Sequence, residues 1–486
     1  METEMGKTSK VDSQLERLEQ HLKQENPILS EVVSSFRQLD LICRKLGFFH
    51  REESYATRTA WWPLISVLGV YSSGKSTFIN HYLSYQLQAT GTQAVDDKFT
   101  VICYGRDSEP RVLPGVALDA DPRFPLYKIS RAIESVSEGE GRRIDSYLQL
   151  KTCNSERLKG KIFIDSPGFD ADAQRTSTLR ITDHIINISD LVLIFFDARH
   201  PETGSMQDTL EHLVKGTIHR TDSNKFLYIL NQIDTAARED NPEEVFSAWQ
   251  RALAQHGMTA GRYYTIYNEE AAIPIEDERI RSRFETKRDK DLREIHSRME
   301  QVSVERAYRI VGMLQQAAKT VKEDLVPFLS GFIKTWRRRV LMIEGGIVGI
   351  LVFAFFAVTI WRGYWKGLHL EIPFLDPVIS NPYLGGILLV LLLILALWGH
   401  HAIRRRSGLK LMDRFLQGVP DQGQKDNYRR ALEKGLRWNR SIFCMNPAGW
   451  GNRTKKRVEA VIEDSNRFMQ RLNDLYTDPS GGSKDD

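Results

Sequence analysis

Eight residues, Gly69-Val70-Tyr71-Ser72-Ser73-Gly74-Lys75-Ser76, constrain this chain more than any other stretch. A short apolar run (Ile65, Val67, Leu68) leads into them, and Thr77-Phe78-Ile79 follows in helical style. G-x-x-x-x-G-K-S between a strand and a helix is the pattern of a phosphate-binding loop. Gly69 and Gly74 let the backbone turn sharply and approach phosphate oxygens with no Cβ in the way. The loop N–H groups and the helix N-terminus then form a nest for anionic oxygens. Lys75 supplies a point charge between the β- and γ-phosphates, and the Ser76 hydroxyl is placed to ligate Mg2+. Nucleotide binding is therefore expected at Gly69, Tyr71, Ser72, Ser73, Gly74, Lys75, Ser76 and Thr77, in an α/β P-loop NTPase fold.

Downstream segments supply the rest of such a site. Phe99 to Tyr104 is a strand candidate, and Lys161-Ile162-Phe163-Ile164 a buried strand ending in Asp165-Ser166-Pro167-Gly168. A D-x-P-G element at a strand's carboxyl end lies where ligands bind in open α/β sheets. Asp165 is expected to reach Mg2+, through water, and the Gly168 N–H to sense the γ-phosphate. Leu191–Phe196 and Phe226–Leu230 are apolar without alternation, as strands covered on both faces of a parallel sheet are. The second ends in Asn231-Gln232-Ile233-Asp234. In GTP-binding proteins an N/T-K-x-D stretch here reads the base, the Asp carboxylate accepting from guanine N1 and N2. Asn231 and Asp234 keep the polar readout, while Gln232 replaces the lysine whose stem stacks on the base. GTP is the expected nucleotide, with ATP possible.

With 486 residues the chain has room for two or three domains. Its 67 basic and 63 acidic residues nearly balance, and no nucleic-acid partner is expected. Four scattered cysteines (Cys43, Cys103, Cys153, Cys444) form no C-x-x-C pair, which points to a reducing compartment and away from a zinc site. Met1 to Lys10 is polar with two acidic residues and has neither a secretory nor a transit profile.

Helical spacing dominates outside the nucleotide domain. Leu15, Leu18 and Leu22 space one helix; Ile28, Val32, Phe36, Leu39 and Leu46 space another after Pro27. From Glu276 to Arg339 a charged helix keeps one apolar face for many turns, through Ala307, Ile310, Leu314, Val321, Leu325 and Phe332. That length reads as a stalk. Lys410 to Tyr476, with Val458, Val461, Phe468 and Leu472, is expected to return along it and close a bundle.

Between the two lie Gly345 to Trp361 and Tyr383 to Gly399, both uncharged and strongly apolar. At about 1.5 Å per residue each covers about 25 Å, and flanking apolar residues extend them toward a hydrocarbon core of about 30 Å. Trp361, Trp365, Tyr383 and Trp398 sit where interfacial aromatics anchor a span. Lys334, Arg337-Arg338-Arg339, Arg404-Arg405-Arg406 and Lys410 lie on the outer flanks, so the positive-inside rule places both termini and the nucleotide domain in the cytoplasm. Glu344 and His400-His401 near that boundary read as snorkelling groups, with an ion pathway as the sharper alternative. The expected division is a helical segment at 1–57, the nucleotide domain at 58–268 and a stalk at 269–339. Spans at 340–362 and 383–403 enclose a loop at 363–382, and a helical segment at 404–486 returns to the stalk.

The P-loop, Val112-Leu113-Pro114-Gly115-Val116-Ala117-Leu118 with Asp121-Pro122-Arg123, Asp165–Gly168 and Leu193–Ala198 together resemble the dynamin superfamily. The nearest branch is the EHD family of membrane-remodelling ATPases. Small GTPases lack the Leu-Pro-Gly segment. The resemblance, over roughly 61–326, implies a dynamin-type G domain on a helical stalk, nucleotide-dependent self-assembly and membrane bending. It implies a catalytic set of Ser72, Lys75 and Thr92: Ser72 to position the nucleophile or a charge-compensating cation, and Thr92 as the nearest match to the Mg2+-ligating switch threonine. The chain departs from that family in lacking a D-x-D-x-D-G calcium loop and in carrying a transmembrane hairpin, a layout like mitofusin-type and some bacterial dynamin-like proteins. It also has Ala94-Val95-Asp96 where the switch threonine falls. The expectation is a GTPase acting on a phospholipid membrane, the bacterial inner membrane, as a homodimer or oligomer. A nucleotide-binding scaffold with little hydrolysis, an ATPase and a nucleotide-gated transport hairpin stand as alternatives.

Overall fold

The computed structural model describes residues 10–90, 98–121, 124–126, 129–134, 139–168, 175–199, 222–238, 242–258, 261–367, 369–370, 372, 381–419, 422–437 and 440–477. The described residues divide into two compact units: those within 20–29 and 57–311, and those within 1–19, 30–56 and 312–486.

The first unit is built on an eight-stranded sheet: β1 (Leu64–Gly69), β2 (Phe99–Tyr104), β3 (Arg111–Pro114), β4 (Leu148–Cys153), β5 (Ile162–Asp165), β6 (Leu191–Asp197), β7 (Phe226–Asn231) and β8 (Tyr263–Ile266). Their order is β3-β4-β2-β5-β1-β6-β7-β8. From β5 to β8 all neighbours are parallel. β2 runs antiparallel to β5, and β3 antiparallel to β4, so the sheet is mixed where sequence pointed to a parallel one. Every residue of β6 and β7 is buried, as their unbroken apolar runs require. β4 alternates instead, Leu-Gln-Leu-Lys, with Leu148 and Leu150 inward, a period-two signal the sequence reading passed over. The Leu-Pro-Gly segment forms the exposed strand β3 and then a short helix, Val116–Ala120.

Apolar side chains cover both faces of the sheet. On one, Phe78, Tyr82, Phe163 and Phe195 pack with Ile295, Met299 and Val302 from the long helix Glu278–Thr320. Burying each such side chain contributes about 1.5–3 kcal/mol. The early part of that helix thus belongs to the core of the nucleotide-binding unit. Arg306, on the same helix, pairs with buried Asp190 at 3.0 Å, and Asp190 also accepts from the Leu64 N–H at 2.9 Å. That cluster fixes the start of β1 and hence the loop after it.

The second unit is helical. Residues Val326–Trp361 and Pro382–Gln417 form two long helices, joined by described residues that include a two-stranded ladder. Both are long and apolar enough to cross a membrane. Their apolar side chains point outward, Phe353 76% and Trp361 81% exposed. Trp336 donates to the Arg404 carbonyl at 3.1 Å, and Glu344 and His400 hydrogen-bond at 2.6 Å, so the two helices pair side by side. Below the apolar stretch, Phe328, Phe332, Phe415 and Tyr428 stack edge to face. The closing helix Asn452–Tyr476 buries Val458, Val461, Phe468 and Leu472, the residues whose spacing marked it.

Candidate nucleotide site

The loop after β1 is shaped by its backbone before any side chain acts. Gly74 has φ 83 and Ser72 φ 59, both in the left-handed region. A Cβ at Gly74 would run into the side-chain amide of Asn231, so glycine is required there for two independent reasons. The helix Lys75–Leu83 starts at once, leaving its first N–H groups facing the loop.

Within this turn the side chains converge. Lys75 is buried, and its ammonium donates to the Gly69 and Val70 carbonyls at 3.0 and 2.9 Å. Burial pushes it down to about 8, against the pull of Asp165. An ammonium kept so dry favours an anion beside it. Ser76 donates its hydroxyl to Asp165 at 3.1 Å, joining the loop to the end of β5 across 89 residues of chain. Gln88 donates to the same carboxylate oxygen at 2.7 Å, and Lys151 to Gln88 at 2.6 Å. The Ser166 hydroxyl and the Tyr71 phenol are buried with no hydrogen-bond partner among the described residues. A hydroxyl and a carboxylate oxygen side by side are the hard donors that Mg2+ takes, so the residues present fit that ion. Gly168 lies against Tyr71, where a Cβ would come within 2.9 Å of the Tyr71 Cα.

The end of β7 closes the other side. Asn231 donates to the Ser73 carbonyl at 2.8 Å, and Gln232, at φ 64, donates to the Ser72 carbonyl at 2.6 Å. Asp234 is buried and accepts from the Ile273 N–H at 2.9 Å; burial pushes its carboxyl upward. Beside Gly74, Thr77 and Asn231 a cavity opens, walled by Tyr267, Asn268 and Arg288. Gly69 ends β1 and Ser73 is buried within the turn. The sites assigned from sequence are thus brought to one place, except Thr92, which lies outside the described residues, as do Ala94-Val95-Asp96.

The residues that build this geometry match a known family. The model of the dynamin family matches residues 65–233. That part of the chain is a dynamin-family domain. Its G domain is EHD-like: it is 28% identical over 181 residues to EH domain-containing protein 1 of Arabidopsis thaliana, covering 35% of this chain and 30% of that one. It is 25% identical over 179 residues to the human EH domain-containing protein 1, covering 35% and 31%. The match therefore spans under a third of those relatives' length. A chain from an oligomerised bacterial dynamin pair aligns at 12% identity and a TM-score of 0.36, over 97% of this chain and 81% of that one, a likeness too slight to argue from.

Two features of this dynamin-like site escaped the sequence reading. Arg199, just past β6, forms a two-pronged pair with Asp197 and donates to the Ser72 carbonyl at 3.2 Å. A basic residue directly after a strand's carboxyl-end Asp-Ala was the available signal. Gln88 reaches Asp165, and Lys151 reaches Gln88, from segments with no motif, and nothing in the sequence marked them.

Proposed function

We propose that this chain is a membrane-anchored, dynamin-like nucleoside triphosphatase that binds and hydrolyses GTP with Mg2+ and passes G-domain dimerisation to the bilayer. The observation that carries the reading is the meeting of Lys75, Ser76 and Asp165 at the carboxyl ends of β1 and β5 in a dynamin-type sheet. Lys75 neutralises phosphate charge, and Ser76 and Asp165 would hold Mg2+, which would supply further charge neutralisation to the triphosphate. Asn231, Gln232 and Arg199 fix the loop carbonyls so that its N–H groups face the phosphates. Ser72 and Thr92 are assigned to catalysis, Gly168 to sensing the γ-phosphate, and Asp234 to the base.

The same proposal places the G domain at 58–268 with the early part of the following helix packed into its core, the stalk in the rest of 269–339, and spans at 340–362 and 383–403, with both termini cytoplasmic. The outward apolar side chains of the paired helices support it, since such a surface is not left to water. The bacterial inner membrane is the proposed site, and a second copy of the chain the proposed partner.

A second reading, an ATPase, is favoured by one contact. Gln232 turns its amide onto the Ser72 carbonyl, so this residue is committed to the loop. Turnover of the full chain in liposomes with GTP and with ATP, followed by electron microscopy of the vesicles, tests both. GTP turnover raised by liposomes supports the lead reading, and turnover of ATP alone replaces it with the second. Absence of turnover with retained binding would leave a nucleotide-dependent scaffold.

A further inference from the structure

The turn Ser441–Asn446 lies between the helices Gln422–Gly435 and Asn452–Tyr476 and presents its apolar side chains to the outside: Phe443 is 69% and Met445 67% exposed. This exposure is built in. Arg440 donates to the Cys444 sulfur at 3.5 Å and to the Asn446 carbonyl, the Cys444 N–H bonds the Ser441 carbonyl at 3.2 Å, and Ile442 and Pro447 are buried beneath. A turn fastened on both sides holds two large apolar groups in the open.

Its position in this unit is as specific. Arg337 lies over the Phe443 ring at 5.8 Å, and Arg404 donates to the Arg440 carbonyl at 2.6 Å. Arg337 is four residues before Leu341, the first of the continuous exposed apolar run on its helix, and Arg404 directly follows the proposed second span. One helical turn is about 5.4 Å, so the turn sits at the depth where the hydrocarbon-facing surface begins. Residues 440–450 contain no Asp or Glu, and Arg338, Arg405 and Arg406 nearby are basic.

We propose that the turn Ser441–Asn446 is a second membrane contact, dipping Phe443 and Met445 into the interfacial layer of the same bilayer that the hairpin crosses, with its arginines on anionic headgroups. Apolar tips with a basic surround are what an interfacial element needs. The hairpin alone leaves the helices free to tilt and rotate; a contact at a second point off their axis ties the helical unit's orientation to the surface. The inference rests on the reading of the two apolar helices as spans.

The full chain carries its own reporter, because Cys444 is exposed while Cys43 and Cys153 are buried. In a Cys103→Ser background an environment-sensitive fluorophore on Cys444 is followed in vesicles of phosphatidylcholine with and without phosphatidylglycerol, using lipids spin-labelled near the headgroup or deep in the chain. A fluorophore at Phe353→Cys, with Cys103→Ser and Cys444→Ser, reports on the span. Expected are at least twofold stronger quenching of the Cys444 probe by the shallow label, the reverse at position 353, and a stronger Cys444 signal with the anionic lipid. Replacing Phe443 and Met445 by Ser should at least halve the quenching at Cys444 and leave position 353 unchanged. Quenching at 353 with none at Cys444 overturns the inference and leaves the spans standing. No quenching at either position overturns the spanning reading, and the inference with it.

Discussion

Asn231 and Ser73 are 158 residues apart in the chain and joined by one hydrogen bond, 2.8 Å from the side-chain amide to the buried Ser73 carbonyl. The bond fastens the end of β7 to the turn that cradles phosphate. Leaving that carbonyl unmet inside the protein costs about 1–3 kcal/mol. Asn231→Ala is therefore expected to weaken triphosphate binding about tenfold while the chain stays folded, by titration calorimetry beside a thermal melt. Equal affinities would mean the turn keeps its shape unaided.

Lys75 should couple nucleotide binding to proton uptake. Without ligand its ammonium ionises at about 8, and a triphosphate beside it favours the charged form. Binding then takes up a proton above that pH, and affinity is expected to fall up to about tenfold per pH unit between pH 8 and 9.5. Calorimetry in two buffers of different ionisation enthalpy counts the proton. Lys75→Ala should bind no detectable triphosphate at any pH.

Asp234 tests the base. A carboxylate accepts from both guanine donors, whereas an amide offers N–H groups where acceptors are needed. Asp234→Asn is expected to lower affinity for GTP more than tenfold and to raise that for XTP, whose C2 oxygen accepts from the amide. An undiminished preference for GTP in competition binding would remove Asp234 from base recognition.

His296 gives the nucleotide-binding unit an acid-sensitive point. Its ring packs against Tyr82 and Phe78, Nε2 has no hydrogen-bond partner among the described residues, and burial pushes its ionisation down to about 4. Arg157, His81 and Lys161 add to that depression, and Glu300 opposes it. The unfolded chain, ionising at an ordinary 6.5, binds more protons between pH 6.5 and 4, so stability falls as pH drops through that window. His296→Phe keeps the ring packing and should lose less stability between pH 7 and 5 in detergent, measured by denaturant unfolding.

What is local was legible in the order of residues. A glycine-framed turn between an apolar run and a helix is a phosphate loop wherever it occurs, because the φ values and open N–H groups are properties of a few consecutive residues. The buried runs of β6 and β7 and the two outward-facing apolar helices are legible for the same reason: covering on every side, or none, leaves no periodicity to misread. Tertiary structure alone decided what depends on distant pairing. The antiparallel run of β2 against β5, the insertion of Ile295 to Val302 into the sheet's core, and the arrival of Gln88, Lys151 and Arg199 around the loop join residues from separate segments. Each is set by which surfaces best fill one another, and no single stretch of chain carries that information.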